Sequence, residues 1–406
     1  MSEYSSSMEA TPMASSMIFR IGALELGRKG WSNVAIGILY RGRFPTTDNP
    51  SPEEIISFII GSDDPMFMLP SGWEVTTAVL FAIVSFPASL VLTRFFMKMN
   101  AKSGIVGIDV HKLSKPKIPE MCGASIPITL ILLSAVFVLI GGGNSLMMLA
   151  FSLVVGSAAV VGAVDDRLKM RGIYKPLLTL LCGLPIVALG LLYPDQVYNP
   201  TLQVPIFGAF HLPVIYPLSI PVAISVTSNT TNMLDPLNGT MAGGVSIISA
   251  ALLMGVLITD PAPSSVFLYA SLLFAALGFF YFNRYPSRAF AGNVGQLSIG
   301  AALGAIAILS RSEIASIVAM FPNIQNSFFF LSKIKRFTEH RALSAKPTML
   351  LDDGRLASSS DPKAPLTLVR TLLVGRPAKE SEIVSTIFGL YLISATLAFI
   401  TLILIG

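Results

Sequence analysis

The chain has 406 residues, of which 53% are hydrophobic and 13% charged, with a formal net charge of +5 and a mean hydropathy of +0.70. Soluble domains carry roughly a quarter charged residues, so this composition excludes an ordinary soluble protein and points to an integral membrane protein. The cations lie in short loops between apolar spans; this argues against nucleic acid as a partner and suits topology control and contact with anionic headgroups or phosphates.

Residues 1–74 stand apart as an N-terminal extension. They begin rich in Ser and Met, pass through Arg28 and Lys29, and reach a Pro/Asp-rich part, PTTDNPSPEE. No stretch here is long enough to cross a bilayer, and no signal-peptide cleavage pattern stands out. From Val75 the sequence reads as one membrane domain, 75–406, with ten apolar spans at 75–96, 121–141, 145–164, 176–193, 212–228, 243–259, 264–282, 294–310, 313–331 and 382–405. Each is near the ~20 residues needed to cross the hydrocarbon core. The expected fold is therefore an all-α polytopic membrane protein with ten transmembrane helices and a polar loop at 332–381 between the last two.

Orientation follows from the cations. Of the 28 Lys and Arg residues, only Arg311 and those of the N-terminal tail (Arg20, Arg28, Lys29, Arg41, Arg43) lie away from the loops after the first, third, fifth, seventh and ninth spans. Positive-inside bias puts those loops in the cytoplasm and both termini outside. Cys122 and Cys182 lie in apolar surroundings with no metal-site spacing, and neither suits a disulfide or a nucleophile.

The polar motifs all fall on that cytoplasmic face. GIDVHKLSKPKIPEMCG carries Asp109, Lys112 and Glu120; GAVDDRLKMRGIYKP carries Asp165, Asp166 and Lys175 at the end of a small-residue helix. TSNTTNMLDPLNGTMAGG carries Asn229, Asn232, Asp235 and Asn238, NRYPSRAFAGNVGQLSIGA carries Phe290 and Asn293, and KIKRFTEHRA carries His340 and Arg341. Adjacent acids at the mouth of a membrane segment are costly unless a cation compensates them. Taken singly these are ordinary features: Asn and Gly near Pro form turns, and a basic run contacts anionic lipid. Together, carboxylates, amides and cations converging on one face provide oxygen ligands for Mg²⁺ and positive charge for phosphoryl oxygens.

In this order the motifs resemble the polyprenyl-phosphate N-acetylhexosamine-1-phosphate transferase superfamily (glycosyltransferase family 4), from about residue 75 to the C-terminus. The IPE element at Ile118–Glu120 and the YPSRAFAGN segment look most similar to the branch using UDP-GlcNAc and dolichyl phosphate. The resemblance implies a ten-helix, monomeric or dimeric enzyme with a cytoplasm-facing site, in an archaeal-type cell membrane or the endoplasmic reticulum. It implies transfer of GlcNAc-1-phosphate from UDP-GlcNAc to a polyprenyl (dolichyl) phosphate with Mg²⁺ (or Mn²⁺), releasing UMP, as the first committed step of lipid-linked oligosaccharide synthesis. By position it assigns Asp165, Asp166, Lys175 and Lys112 to catalysis. Glu120, Asn229, Asn238, Phe290, His340 and Arg341 fall to substrate contacts, Asn238 as a uracil contact and Phe290 as the ring that stacks on uracil, and Asn232 and Asn293 to the metal, beside which Asp235 is added as a further metal-site residue on the charge argument below. A phosphate monoester is already anionic at pH 7, its second pKa being ~6, which favours an orienting or electrostatic role for the two aspartates over obligatory proton abstraction.

Two positions depart from the pattern. Asn293 stands where the family usually has a metal-binding Asp, and an amide oxygen is a weaker Mg²⁺ ligand than a carboxylate; Asp235 is expected to supply the missing negative charge. Glu339 precedes the His-Arg pair where an Arg is usual. Left open beside this reading are a related UDP-N-acetylhexosamine:undecaprenyl-phosphate transferase, a non-catalytic homologue and a membrane transporter.

Overall fold

A computed structural model describes residues 74–170, 172–334 and 345–405. The N-terminal extension and the segment holding Glu339, His340 and Arg341 lie outside the described residues. Helices α1 (Glu74–Ile83) and α2 (Ser85–Lys102) form one broken apolar span, followed by a hairpin of β1 (Val106–Ile108) and β2 (Lys117–Pro119). A 3-10 turn (Cys122–Ala124) leads into α3 (Ser125–Leu139), then α4 (Ser145–Leu168), α5 (Tyr174–Leu181) and α6 (Leu184–Leu192). A second hairpin, β3 (Thr201–Val204) and β4 (Gly208–His211), precedes α7 (Ile215–Met233), α8 (Thr240–Thr259), α9 (Pro263–Asn283) and α10 (Gly292–Leu309). The chain closes with α11 (Glu313–Ala319), α12 (Phe321–Ile334), a third hairpin of β5 (Thr348–Leu350) and β6 (Leu356–Ser358), α13 (Leu368–Leu372) and α14 (Glu380–Ile405).

The fold is mostly helical, as expected, but not purely so. The three antiparallel hairpins have strands of three or four residues, too short to leave a periodic signal. Among the described residues, eight spans are long and apolar enough to cross a membrane, or nine if the bent pair α11–α12 counts as one. Of the expected ten, the spans at 212–228 and 313–331 are not among these eight. Helix α7 has 19 residues, but its last turns carry Ser225, Ser228, Asn229, Thr230, Thr231 and Asn232, which lower its hydropathy. The expected span 313–331 is two helices bent by 66°, with Pro322 in the first turn of the second, where a missing N–H and a fixed φ suit a helix start.

Helix α10 sits at the centre: 89% of its span is buried, against both α4 and α7. In lipid there is little hydrophobic drive between helices, so close backbone packing over small residues must hold them. A Cβ at Gly300 would lie 2.5 Å from the Thr227 carbonyl oxygen, and one at Gly162 would lie 2.4 Å from that of Asn293. Away from this seam the packing is aromatic: Phe137 of α3 and Phe267 of α9 stack with centroids 4.1 Å apart.

The α7–α10 contact can be tested directly. Gly300→Ala should lower the thermal midpoint in detergent, with a loss of about 1–3 kcal/mol from overpacking. Gly389→Ala, on α14 where nothing lies within 4 Å, should leave the midpoint unchanged or raise it slightly, since Ala favours a helix by roughly 0.5–1 kcal/mol. Equal midpoints for the two variants would refute the close-packed seam.

Candidate active site

Five helix ends meet at one end of the bundle. Helix α4 runs past its expected limit, so Asp165 and Asp166 belong to its last turns, and the helix stops at Lys169 in a left-handed conformation, φ 50°. Asp166 reaches across to the N-terminus of α10. Its Oδ1 accepts the Asn293 backbone N–H at 2.8 Å and the Asn293 side-chain Nδ2 at 2.9 Å, and its Oδ2 accepts the Val294 N–H at 3.0 Å. These are N–H groups that a helix start leaves without partners, and the helix dipole favours an anion there. Gly292, at φ +67°, makes room: a Cβ would come 2.7 Å from Asp166 Oδ2. The geometry also accounts for asparagine at 293, because a carboxylate there would set oxygen against Asp166 Oδ1 where Nδ2 now donates.

Lys175, at the start of α5 and 5% exposed, pairs with the fully buried Asp165 at 2.8 Å. The same ammonium donates to Asn293 Oδ1 at 3.2 Å. Asn232, at the end of α7, donates Nδ2 to that oxygen at 2.7 Å and to Gln296 Oε1. Gln296 in turn donates Nε2 to Asp235 Oδ2 at 2.7 Å, while Asp235 Oδ1 accepts the Met241 N–H at 3.1 Å. Both oxygens of Asp166 and of Asp235 accept N–H groups, so these two carboxyls orient every amide between them. Asn232 Oδ1 is left without a partner among the described residues. Loss of water pushes the Asp235 carboxyl up to about 7, against the downward pull of Gln296 and the Met241 N–H.

A cavity of about 340 Å³ opens here, lined by Lys175, Asn232, Asp235, Asn238, Asn293 and Gln296 on one part and by Asp109, His111, Glu120 and Phe290 on another. It adjoins a second cavity of about 530 Å³ that shares Asn232 and Asp235 and extends to Lys346 and Thr367. Asn238 donates Nδ2 to Asp109 Oδ2 at 3.0 Å, and its backbone N–H donates to Glu380 Oε1 at 2.8 Å. Lys112 bridges the two acids, 3.3 Å from Asp109 Oδ2 and paired with Glu380. Burial outweighs these acids and pushes the His111 imidazole below its ordinary value. The β1–β2 hairpin carries Asp109 and Lys112 in its loop, and the Phe290 N–H bonds to Pro119 O at 2.9 Å.

Most of the residues singled out from sequence therefore come together, with qualifications. Asn229 turns away, its Nδ2 held by Thr179 Oγ1 and Ser225 O, each at 2.8 Å; it ties α7 to α5 and does not line the cavity. Asp235 spends both oxygens on protein donors, so it stands behind Gln296 and is not poised as a direct ligand. Lys112 faces Asp109 and Glu380 at the rim. His340 and Arg341 lie outside the described residues. Sequence reasoning missed Gln296, which its position one turn after Asn293 on α10 could have revealed. It also missed Glu380, for which no local signal exists.

Mg²⁺ prefers oxygen ligands, keeps several waters and binds through one or two protein groups plus substrate phosphates. Among the described residues no three His, Cys, Asp or Glu side chains converge, so a carboxylate cage is absent there. The unpartnered Asn232 Oδ1 suits a cation carried mainly by water and phosphate; Asn293 Oδ1, which accepts from Asn232 Nδ2 and Lys175, would join it only if Lys175 moves off Asn293.

The buried carboxyl gives a pH test. A folded-state pKa raised from 3.8 to about 7 means that the Asp235 contribution is fully present below the ordinary carboxylate range. It is lost as pH rises through about 7. In chelator, the wild-type protein should lose on the order of 1 kcal/mol between pH 6 and 8 from this group, read as a falling thermal midpoint; in Asp235→Asn that part of the slope should vanish. A midpoint that rises over this range in the wild type would contradict the assignment.

Comparison with known proteins adds an independent line. The family model described as glycosyl transferase family 4 matches residues 145–311. A Methanocaldococcus jannaschii protein provisionally named a glycosyltransferase is 32% identical over 314 residues, covering 76% of this chain and 91% of its own length. A Saccharolobus solfataricus protein provisionally named UDP-N-acetylglucosamine–dolichyl-phosphate N-acetylglucosaminephosphotransferase is 28% identical over 329 residues, covering 80% and 97%. A phospho-N-acetylmuramoyl-pentapeptide-transferase of a Hydrogenobaculum species is 30% identical over 296 residues, covering 64% and 81%.

Proposed function

The chain belongs to glycosyl transferase family 4, the polyprenyl-phosphate N-acetylhexosamine-1-phosphate transferases, and from that premise we propose that it transfers GlcNAc-1-phosphate from UDP-GlcNAc to a polyprenyl (dolichyl) phosphate. The observation that carries the proposal is the hydrogen-bonded continuity of Asp165, Lys175, Asn293 and Asn232 beside one cavity. A lipid-phosphate oxygen attacks the β-phosphorus of the nucleotide sugar in line; the bond to the bridging oxygen breaks, and UMP leaves. With an anionic nucleophile, positioning and charge neutralisation supply most of the acceleration. Lys175 neutralises charge on the diphosphate, and Asp165 holds that ammonium in place. Asp166 is a positioning residue: it acts through Asn293 and the first turn of α10.

Mg²⁺, held by Asn232 and Asn293, would supply further electrostatic stabilisation of the phosphoryl oxygens. Asp235 sets the Asn232 orientation through Gln296 and, in its ionised form, adds the negative charge that an amide ligand lacks. Support for a lipid acceptor comes from an apolar groove of about 450 Å³ between α7, α10, α11 and α12, which ends at Thr230, near Asn232. In this reading the active-site end faces the cytoplasm, α7 counts as a further membrane crossing with the bent pair to give ten, and both termini lie outside. The product begins lipid-linked oligosaccharide assembly, in an archaeal-type cell membrane or the endoplasmic reticulum.

Purified protein given radiolabelled UDP-GlcNAc, Mg²⁺ and dolichyl phosphate should form lipid-extractable label that added UMP reverses. Lys175→Ala should lower the rate by at least ~100-fold, the scale of a lost charge-stabilising group, and chelation should abolish it. Labelled lipid from undecaprenyl but not dolichyl phosphate would correct the acceptor. No labelled lipid with either would reject the reaction.

A further inference from the structure

The connection between α6 and α7 lies at the end of the bundle away from Asn232. Helix α7 starts at Ile215 and has 19 residues, so at ~1.5 Å per residue it runs about 28 Å before it reaches the site. The base of the connection is held down on the helices. Tyr198 stacks on Tyr216 of α7 with ring centroids 5.6 Å apart, and it lies so close over α6 that a Cβ at Gly190 would overlap its ring. Asn144, which caps α4, donates Nδ2 to the Gln196 carbonyl oxygen at 2.7 Å. Leu202 of β3 and Leu212, just after β4, line the apolar groove along α7. Two tyrosines in contact at this level fit a membrane–water boundary, where rings with a polar tip concentrate.

From that fixed base the β3–β4 hairpin presents apolar side chains. No Asp, Glu, Lys or Arg occurs between Asp195 and Asp235. At the tip Ile206 is 91% and Phe207 76% exposed, and Phe210 of β4 is exposed as well. Ile206 adopts φ +71°, a left-handed conformation that β-branched residues seldom take and that glycine takes without strain. A strained turn that still carries a large apolar group outward points to use of that group. The hairpin is a two-stranded sheet, so its outer edges need polar partners and cannot enter the hydrocarbon core. Its strands have four residues each, about 14 Å at ~3.4 Å per residue, whereas a headgroup layer is about 5–8 Å deep. Standing upright, the hairpin would carry Ile206 and Phe207 into water. Inclined along the surface, it keeps its backbone among headgroups and lowers both side chains to the acyl boundary.

We propose that the β3–β4 hairpin is an interfacial anchor, lying in the headgroup layer of the leaflet opposite the active-site end with Ile206 and Phe207 inserted at the acyl boundary. The partner is a lipid surface. Because the hairpin carries no charge, burial of apolar side chains drives the contact and neutral headgroups suffice. The anchor holds the α6–α7 connection at the membrane surface, and so fixes how deep α7 sits while Leu202 and Leu212 wall the adjoining end of the groove. This rests on the reading above only in taking α7 as a membrane crossing; it is independent of the reaction.

The test places a nitroxide spin label on single introduced cysteines in the full-length protein, reconstituted in phosphatidylcholine liposomes; Cys122 and Cys182 are both buried and stay unlabelled. Collision of the label with O₂, which partitions into lipid, is compared with collision with a water-soluble nickel chelate. The O₂-to-nickel ratio for Ile206→Cys and Phe207→Cys should approach that of Leu218→Cys, on the exposed apolar surface of α7. It should exceed that of Asp353→Cys, in the exposed turn of the third hairpin. Ratios at 206 and 207 equal to the one at 353 would overturn the anchor. Mutual broadening of labels at 207 would seat the tip against a second copy and overturn it equally. A water-like ratio at 218 would take α7 out of the membrane and remove the premise, whereas failure of the transferase assay alone would leave the anchor standing.

Discussion

The junction between Asp166 and the first turn of α10 is the constraint on which the rest of the site depends. One carboxylate accepts three N–H groups from Asn293 and Val294, and so fixes where α10 begins, how it meets α4 and which way the Asn293 amide points. Two glycines make this possible: Gly162, over which α4 closes on the Asn293 backbone, and Gly292, whose positive φ leaves space for the acid. Even a half-buried carboxylate is expensive unless hydrogen-bonded, and here the unpaired start of a central membrane helix supplies the donors. The arrangement satisfies both groups at once.

From that anchor the polarity of the site propagates by hydrogen bonding. Asn293 presents an oxygen to Lys175 and Asn232, Asn232 presents Nδ2 to Gln296, and Gln296 presents Nε2 to Asp235. The network is bounded at both ends by carboxyls whose oxygens all accept N–H groups, so the amides between them have a single consistent orientation. The same device recurs at the other side of the cavity, where Asp109 orients Asn238. In both places an acid acts through a neighbour and leaves a neutral amide oxygen facing the cavity, suited to a substrate that itself brings the negative charge.

Charge balance explains why cations and acids are so closely interleaved. Lys175 is matched by Asp165, and Lys112 by Asp109 and Glu380. Unmatched, either lysine would be costly at the boundary of the apolar core; matched, each is held in one position. A phosphate entering the cavity would meet a cation that Asp165 already holds there and that has only to release Asn293.

Much of this was legible in the residues alone. Span lengths, the polarity of the loops and the grouping of Asp165, Lys175, Asn232 and Asn293 at one end of the bundle follow from local hydropathy and from alternation of crossings, which are properties of short stretches of chain. Tertiary structure alone decided what each polar atom faces. Asp166 became the cap of a helix 127 residues away, Asn229 turned into the α5–α7 contact, and Glu380 came to the Asn238 backbone from 142 residues away. The 66° bend and the hairpin that carries Asp109 were likewise settled by packing. Hydropathy records how much of a segment avoids water. It carries no information on which donor meets which acceptor, because those partners are brought together only when distant helices close over their small residues.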